Sequence, residues 1–175
     1  MFSFFTSTAF SSFTKYFKLK KELGSGGFGQ VYLVKRRKDE KLFAAKQIKK
    51  KWITQSVTLA NSKQKPLPME IWTLTGLSHP NIITLFTHFE LKLHWIMVLD
   101  YDQNYDDLFN HISKRGALEE SAAKKVFKQV HMAADYLFTV GIDHRDIKDE
   151  NILIHSDTGN YNFQLSLIIV NKAES

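Results

Sequence analysis

The 175-residue chain contains no cysteine. That excludes a disulfide framework and any thiolate metal site, and it fits a reducing compartment. No run approaches the roughly 18 apolar residues of a membrane span. The first 14 residues are rich in Phe, Ser and Thr but have no basic start and no clean apolar core, so they make a poor signal peptide. Their lack of acids allows a weak transit peptide, and a disordered tail over 1–18 is the expectation. Proline is scarce, three in all, and two of them, Pro66 and Pro68, sit together just before a short apolar stretch. Acidic residues are thin in the front of the chain. Residues 1–70 hold 15 Lys/Arg against 4 Asp/Glu, a net of +11, and residues 71–175 hold 9 against 14, a net of −5. The basic residues are scattered and lack aromatic interleaving, which speaks against nucleic acid. The acidic remainder favours a basic partner.

Two strands are expected at 19–23 and 30–36 about a glycine-rich turn, with a third at 42–48. Residues 49–65 are polar and lysine-rich, a loop. Pro66 and Pro68 then precede a helix from Met69 to Gly76, where proline is tolerated in the first turn. Ile82 to Phe89 and Leu93 to Leu99 are two more strands. Residues 105–113 suggest a short helix. Glu119 to Val140 suggests a long one, with Ala122, Val126, Val130, Ala133, Ala134 and Leu137 at spacings of three and four. Ile152–Ile154 is a short buried strand turned by Asp157-Thr158-Gly159-Asn160. The class is α+β: strands with one helix, then mostly helix, a two-lobe arrangement.

Three stretches carry chemistry. In Gly24-Ser25-Gly26-Gly27-Phe28-Gly29 the glycines let backbone amides approach an anion closely. The turn lies between two strands and does not open a helix, which argues against a dinucleotide fold and suits a flap over ATP. Lys46 on the third strand needs a carboxylate to orient it, and Glu70 on the following helix is the candidate. The third stretch is His144-Arg145-Asp146-Ile147-Lys148-Asp149-Glu150-Asn151. Phosphoryl transfer needs a carboxylate near the attacking hydroxyl, a cation on the moving phosphate and an oxygen ligand for magnesium. Asp146, Lys148 and Asn151 supply those groups.

In order and spacing this octet resembles the catalytic loop of eukaryotic protein kinases. Leu23 to Tyr32, Leu67-Pro68-Met69-Glu70, Arg115 to Glu120 and His144 to Ile154 together resemble the Pim family of serine/threonine kinases, and Ser78 to Ile83 resembles a link common to kinases after the αC helix; the resemblance covers about residues 19–160. The resemblance implies a five-stranded antiparallel amino-terminal lobe with its αC helix over 19–99, and an incomplete, mainly helical carboxy-terminal lobe over 100–164. It implies that Leu23 and Val31 roof the adenine, that Ala45 packs against it and that Leu153 lies beneath. The flap residues Gly24, Gly26, Gly27, Phe28 and Gly29 cover the phosphates, and Lys46, paired with Glu70, contacts them. Leu99 is the implied gatekeeper, Asp100-Tyr101-Asp102 the hinge, and Asp107 a ribose-facing acid. Asp146 is the implied base, Lys148 the γ-phosphate contact and Asn151 a magnesium ligand. Asp107 and Glu150 form an acidic surface for basic substrates. The implied cofactors are ATP and Mg2+, and the implied partners are basic Ser/Thr-containing proteins. Neither nucleic acid nor membrane is expected. The chain is expected to be a monomer in the cytoplasm, with the nucleus also open to it.

The chain departs from the Pim pattern in three places. The hinge stretch Asp102-Gln103-Asn104 has no proline, so an amide donor to adenine is available. Asp143 stands where an apolar residue is usual, at risk of burial without a partner. At Leu165-Ser166-Leu167, where the Asp-Phe-Gly motif should fall, no carboxylate is found. The expectation is therefore a truncated kinase with an aberrant tail over 165–175. Its apolar run Leu165–Val170 is an aggregation hazard if exposed. The alternative is a catalytically inactive, pseudokinase-like fragment that binds nucleotide or a protein partner.

Overall fold

The computed structural model describes residues 8–26, 29–57, 66–155, 162–165 and 171–172. Its elements in chain order are α1 (Thr8–Tyr16), β1 (Phe17–Gly26), β2 (Gly29–Arg36), β3 (Leu42–Lys49), β4 (Ser56–Val57), β5 (Leu67–Pro68), α2 (Met69–Gly76), β6 (Leu85–Glu90), β7 (His94–Asp100), β8 (Tyr105–Asp107), α3 (Leu108–Arg115), α4 (Glu120–Thr139), β9 (Ile142–Asp143), β10 (Ile152–His155), β11 (Asn162–Leu165) and β12 (Asn171–Lys172). The chain divides into two units. One holds residues 1–71 and 85–102, the other 72–84 and 103–175. The boundary expected at 99/100 thus falls at 102/103, and the segment 72–84 groups with the second unit.

The first unit is an antiparallel five-stranded sheet in the order β1-β2-β3-β7-β6. Side chains alternate between faces along each strand, and the register fixes which residues share a face. Lys46 pairs with Val31 and Met97, and Ala44 pairs with Leu33 and Leu99, so these six share one face. The opposite face carries the core cluster of Phe13, Phe17, Tyr32, Val34, Phe43, Ala45, Leu91, Ile96 and Val98.

The expectation of a disordered tail over 1–18 does not hold for residues 8–18. Helix α1 and the start of β1 build a wall of that core. Phe13 and Phe17 stack at 5.4 Å, and Phe13 meets Phe89 edge-on at 5.4 Å. Both are buried, at 4% and 2% exposure. Arg37 fastens the segment by donating from its backbone N–H to the Tyr16 carbonyl and from Nε to the Thr14 carbonyl, at 2.8 and 2.9 Å. Burying such aromatic rings outweighs the ordering entropy of a short helix.

In the second unit α4 buries Ala122, Val126, Ala133 and Leu137, the stripe its periodicity requires. Strand β10 pairs antiparallel with both β8 and β11. The helix expected from 105 begins instead at Leu108, because Tyr105–Asp107 pair with β10. Asn171–Lys172 pair with β9 inside the stretch expected as an aberrant tail. The expected turn at 157–160 lies outside the described residues. Among those described, no helix is long and apolar enough to cross a membrane.

Candidate functional site

The first unit holds the hairpin and the lysine. Glycine Gly24 pairs with Val31, Ser25 with Gln30 and Gly26 with Gly29, so the glycine-rich turn is a tight β-hairpin. Gly29 has a φ of 137°, and a Cβ there would collide with the Gln47 carbonyl oxygen, so this position takes only glycine. Gly27 and Phe28 lie outside the described residues. Leu23 is partly exposed beside a register shift in β1, and Val31 is half-buried on the face of Lys46.

Lys46 is buried at 8% exposure, and its Nζ donates to Glu70 Oε1 at 2.6 Å. Glu70 sits in the first turn of α2, where its charge suits the helix dipole. Burial raises the Glu70 pKa above the ordinary carboxyl value, and the Lys46 ammonium opposes that rise. The expected pairing of Lys46 with Glu70 is therefore present as geometry.

Ala45 requires a correction. It lies on the far side of the sheet from Lys46, buried at 3% in the aromatic core, because adjacent strand residues face oppositely. Ala44 and the fully buried Met97 share the lysine's face and were missed; counting by twos from Lys46 finds Ala44. Leu99 does lie on that face, buried. Asp100 ends β7, with Lys41 Nζ at 3.2 Å from its carboxylate, and Asp102 is exposed.

The second unit holds the loop after β9. Arg145 adopts φ of 60°, a strained left-handed turn for a non-glycine residue. Buried His144 accepts the Asp146 backbone N–H at Nδ1, at 3.3 Å. Asn151, fully buried, donates from Nδ2 to the Asp146 carbonyl at 2.7 Å and to its Oδ2 at 2.9 Å. Lys148 Nζ lies 3.5 Å from Asp146 Oδ2 and 2.9 Å from Glu150 Oε2. The Glu150 carboxylate, with Asp146 adding to it, raises the Lys148 pKa. Asp146, Lys148, Glu150 and Asn151 thus form one hydrogen-bonded and ion-paired group.

Asp107 has a structural task. It caps α3, accepting the Asn110 backbone N–H at 2.7 Å on Oδ1 and its side-chain amide at 2.6 Å on Oδ2. Leu153, half-buried in β10, pairs with Asp107. The feared burial of Asp143 without a partner does not occur. Its side chain is 44% exposed and stands 3.6 Å from the Arg145 guanidinium, because β9 is only two residues long. Leu165 ends β11 opposite Ile152. Ser166 and Leu167 lie outside the described residues.

Oxygen donors suit magnesium. No group of three His, Asp or Glu that could hold a metal ion by itself is found among the described residues. Asn151 commits its amide nitrogen to Asp146, and its amide oxygen is the atom that could ligate an ion. That partial set fits an ion held largely by phosphate oxygens and water.

A family model described as protein kinase domain matches residues 17–168. The chain is 39% identical over 156 residues to the serine/threonine-protein kinase pim-2 of Danio rerio, covering 84% of this chain and 50% of that protein. It is 36% identical over 135 residues to the PAS domain-containing serine/threonine-protein kinase of Mus musculus, covering 77% and 10%. It is 34% identical over 155 residues to the serine/threonine-protein kinase prk-2 of Caenorhabditis elegans, covering 88% and 34%. The chain thus spans half or less of the length of these relatives.

Proposed function

This chain belongs to the protein kinase family, and from that membership we propose that it transfers the ATP γ-phosphate to serine and threonine hydroxyls of basic proteins. The observation that carries the reading is the Asp146 group, in which Asn151 and Lys148 both engage the same carboxylate. In the transfer, the substrate hydroxyl oxygen bonds to the γ-phosphorus as the bond to the β–γ bridging oxygen breaks. Asp146 takes the hydroxyl proton and ADP leaves. Lys148 offsets charge on the moving phosphoryl group, and Lys46, held by Glu70, takes the α/β-phosphate oxygens. The glycine hairpin contributes backbone amides, with Gly24, Gly26 and Gly29 allowing close approach. Ala44, in place of Ala45, joins Leu23, Val31 and Leu99 as the adenine-facing residues of the first unit, the Asp100–Asp102 stretch offers the hinge, and Leu153 is the adenine contact we assign to the second unit. Asn151 would hold magnesium, which when bound supplies neutralisation of phosphate charge. Glu150 is the acid we assign to basic substrates. Asp107 contributes as the α3 cap more than as a direct contact.

A module that only binds nucleotide is less favoured, because it has no need of a strained loop centred on Asp146. We place the protein as a monomer in the cytoplasm and nucleus, without nucleic acid or membrane as partner. The test is phosphate transfer from radiolabelled ATP to an arginine-rich serine peptide. Asp146→Asn should lower the rate by about 10²–10⁴-fold while ATP binding persists. Unchanged transfer would sink the reading.

A further inference from the structure

The face of the first unit's sheet opposite Lys46, which also carries the core cluster, has a cavity of about 190 Å³ lined by Ser25, Gly29, Gln30, Gln47, Lys49, Trp52 and His94. The register explains the grouping. Gln30 pairs with Gln47 and Lys49 pairs with His94, so these side chains share a face, and Gln47 follows Lys46 by one residue. The cavity therefore opens on the face away from Lys46, and it shares Ser25 and Gly29 with the glycine hairpin assigned to nucleotide.

Its lining contains no carboxylate and is rich in donors. Tyr32 donates its hydroxyl proton to Gln30 Oε1 at 3.0 Å, leaving the Gln30 amide N–H groups for a ligand. Gln47 is buried at 7% and brings a second amide. Lys49 Nζ lies 4.5 Å from the centre of the Trp52 ring, and Lys51 Nζ at 5.8 Å, so the ring steadies ammonium charge at the rim. Among the described residues Lys49 and Lys51 form no ion pair with a carboxylate, whereas neighbouring Lys50 is paired with Glu90 at 2.6 Å. Burial lowers the His94 pKa, and the Lys49 charge adds to that fall.

We propose that this cavity binds a phosphate monoester, the phosphorylated side chain of a serine or threonine. Five donor side chains (Ser25, Gln30, Gln47, Lys49 and His94) match three terminal oxygens better than the two of a carboxylate. A charge of about −1.5 to −2 suits the Lys49 ammonium in the lining and the Lys51 ammonium beside Trp52, with the His94 imidazole as a neutral N–H donor. The proposal rests on this cavity alone and holds whether or not the chain transfers phosphate.

The experiment is an NMR titration of the full chain with O-phosphoserine, serine and glutamate, in the presence of saturating ADP. Phosphoserine should shift the Gln47 amide, the Trp52 indole and the His94 imidazole saturably, and should raise the His94 pKa. Lys49→Glu should weaken phosphoserine by at least about tenfold and leave ADP affinity unchanged. His94→Ala is the second variant, expected to weaken it in the same direction. The proposal is overturned if phosphoserine shifts nothing at these positions, if glutamate binds as well, or if Lys49→Glu binds phosphoserine as tightly as the parent chain.

Discussion

At the scale of single residues the Lys46–Glu70 pair is the most demanding arrangement in the first unit. Both side chains are largely withdrawn from water, at 9% and 13% exposure. Removing one partner of a buried pair leaves an uncompensated charge, at a cost of about 3–5 kcal/mol. Lys46→Met should therefore destabilise, and the penalty should depend on pH. Burial already raises the Glu70 pKa from 4.5, and the lysine is what opposes the rise. A carboxyl whose folded pKa is raised contributes its stability fully below the unfolded value, and that contribution is lost as pH rises through the folded value. The variant's deficit should thus be small near pH 4.5 and grow towards neutrality, as measured by denaturant unfolding at several pH values. A deficit that shrinks with rising pH would contradict this account. The pairing of Lys46 with Glu70 was legible in the sequence as geometry, and Asp146, Lys148 and Asn151 were legible as neighbours within one short loop. Ala45 was not. Two adjacent alanines are chemically identical, and only the strand's alternation from Lys46 tells them apart. Asp107 was obscured in the same way: a carboxylate facing a ligand and one capping a helix have the same one-letter signature.

At the scale of elements the long helix α4 was readable from end to end, because its apolar stripe repeats over many turns. Tyr105–Asp107 was not, since its strand character comes from pairing with β10, a partner far along the chain. Ile82 and Ile83 suggested the start of a strand but are buried outside it, and β6 begins at Leu85. Helix α1 was missed for a different reason. Its Ser/Thr-rich composition suggests disorder, yet Phe13 in α1 stacks on Phe17 at the start of β1, and the sheet supplies Phe43 and Phe89 as partners. The element is therefore held by packing and not by helix propensity. Phe13→Ala should cost about 3–5 kcal/mol in denaturant unfolding, the loss typical of a buried phenylalanine. An unchanged midpoint would mean that the segment is as dispensable as its composition suggests.

At the scale of the whole molecule the charge is divided between the two units. The first carries 16 Lys/Arg against 7 Asp/Glu, a net of +9, and the second carries 8 against 11, a net of −3. The proposed substrate-facing carboxylate, Glu150, belongs to the acidic unit, and the proposed phosphate cavity to the basic one. Each field attracts what its site is proposed to hold: basic peptide in one case, phosphate ester in the other. Glu150 is 57% exposed and shares Lys148 with Asp146, so its attraction for a peptide guanidinium is a screened surface interaction. Raising salt from about 0.1 to about 1 M shortens the Debye length from about 10 to about 3 Å. Across that range the KM for an arginine-rich peptide should rise several-fold while kcat changes little. Glu150→Gln should raise KM at low salt and flatten the salt dependence, because part of the screened charge is already gone. Steady-state kinetics of both proteins at several salt concentrations decide the matter. A salt slope identical in the two would remove Glu150 from substrate recognition and leave the basic-substrate reading without a named carboxylate, since both oxygens of Asp107 are already engaged by Asn110.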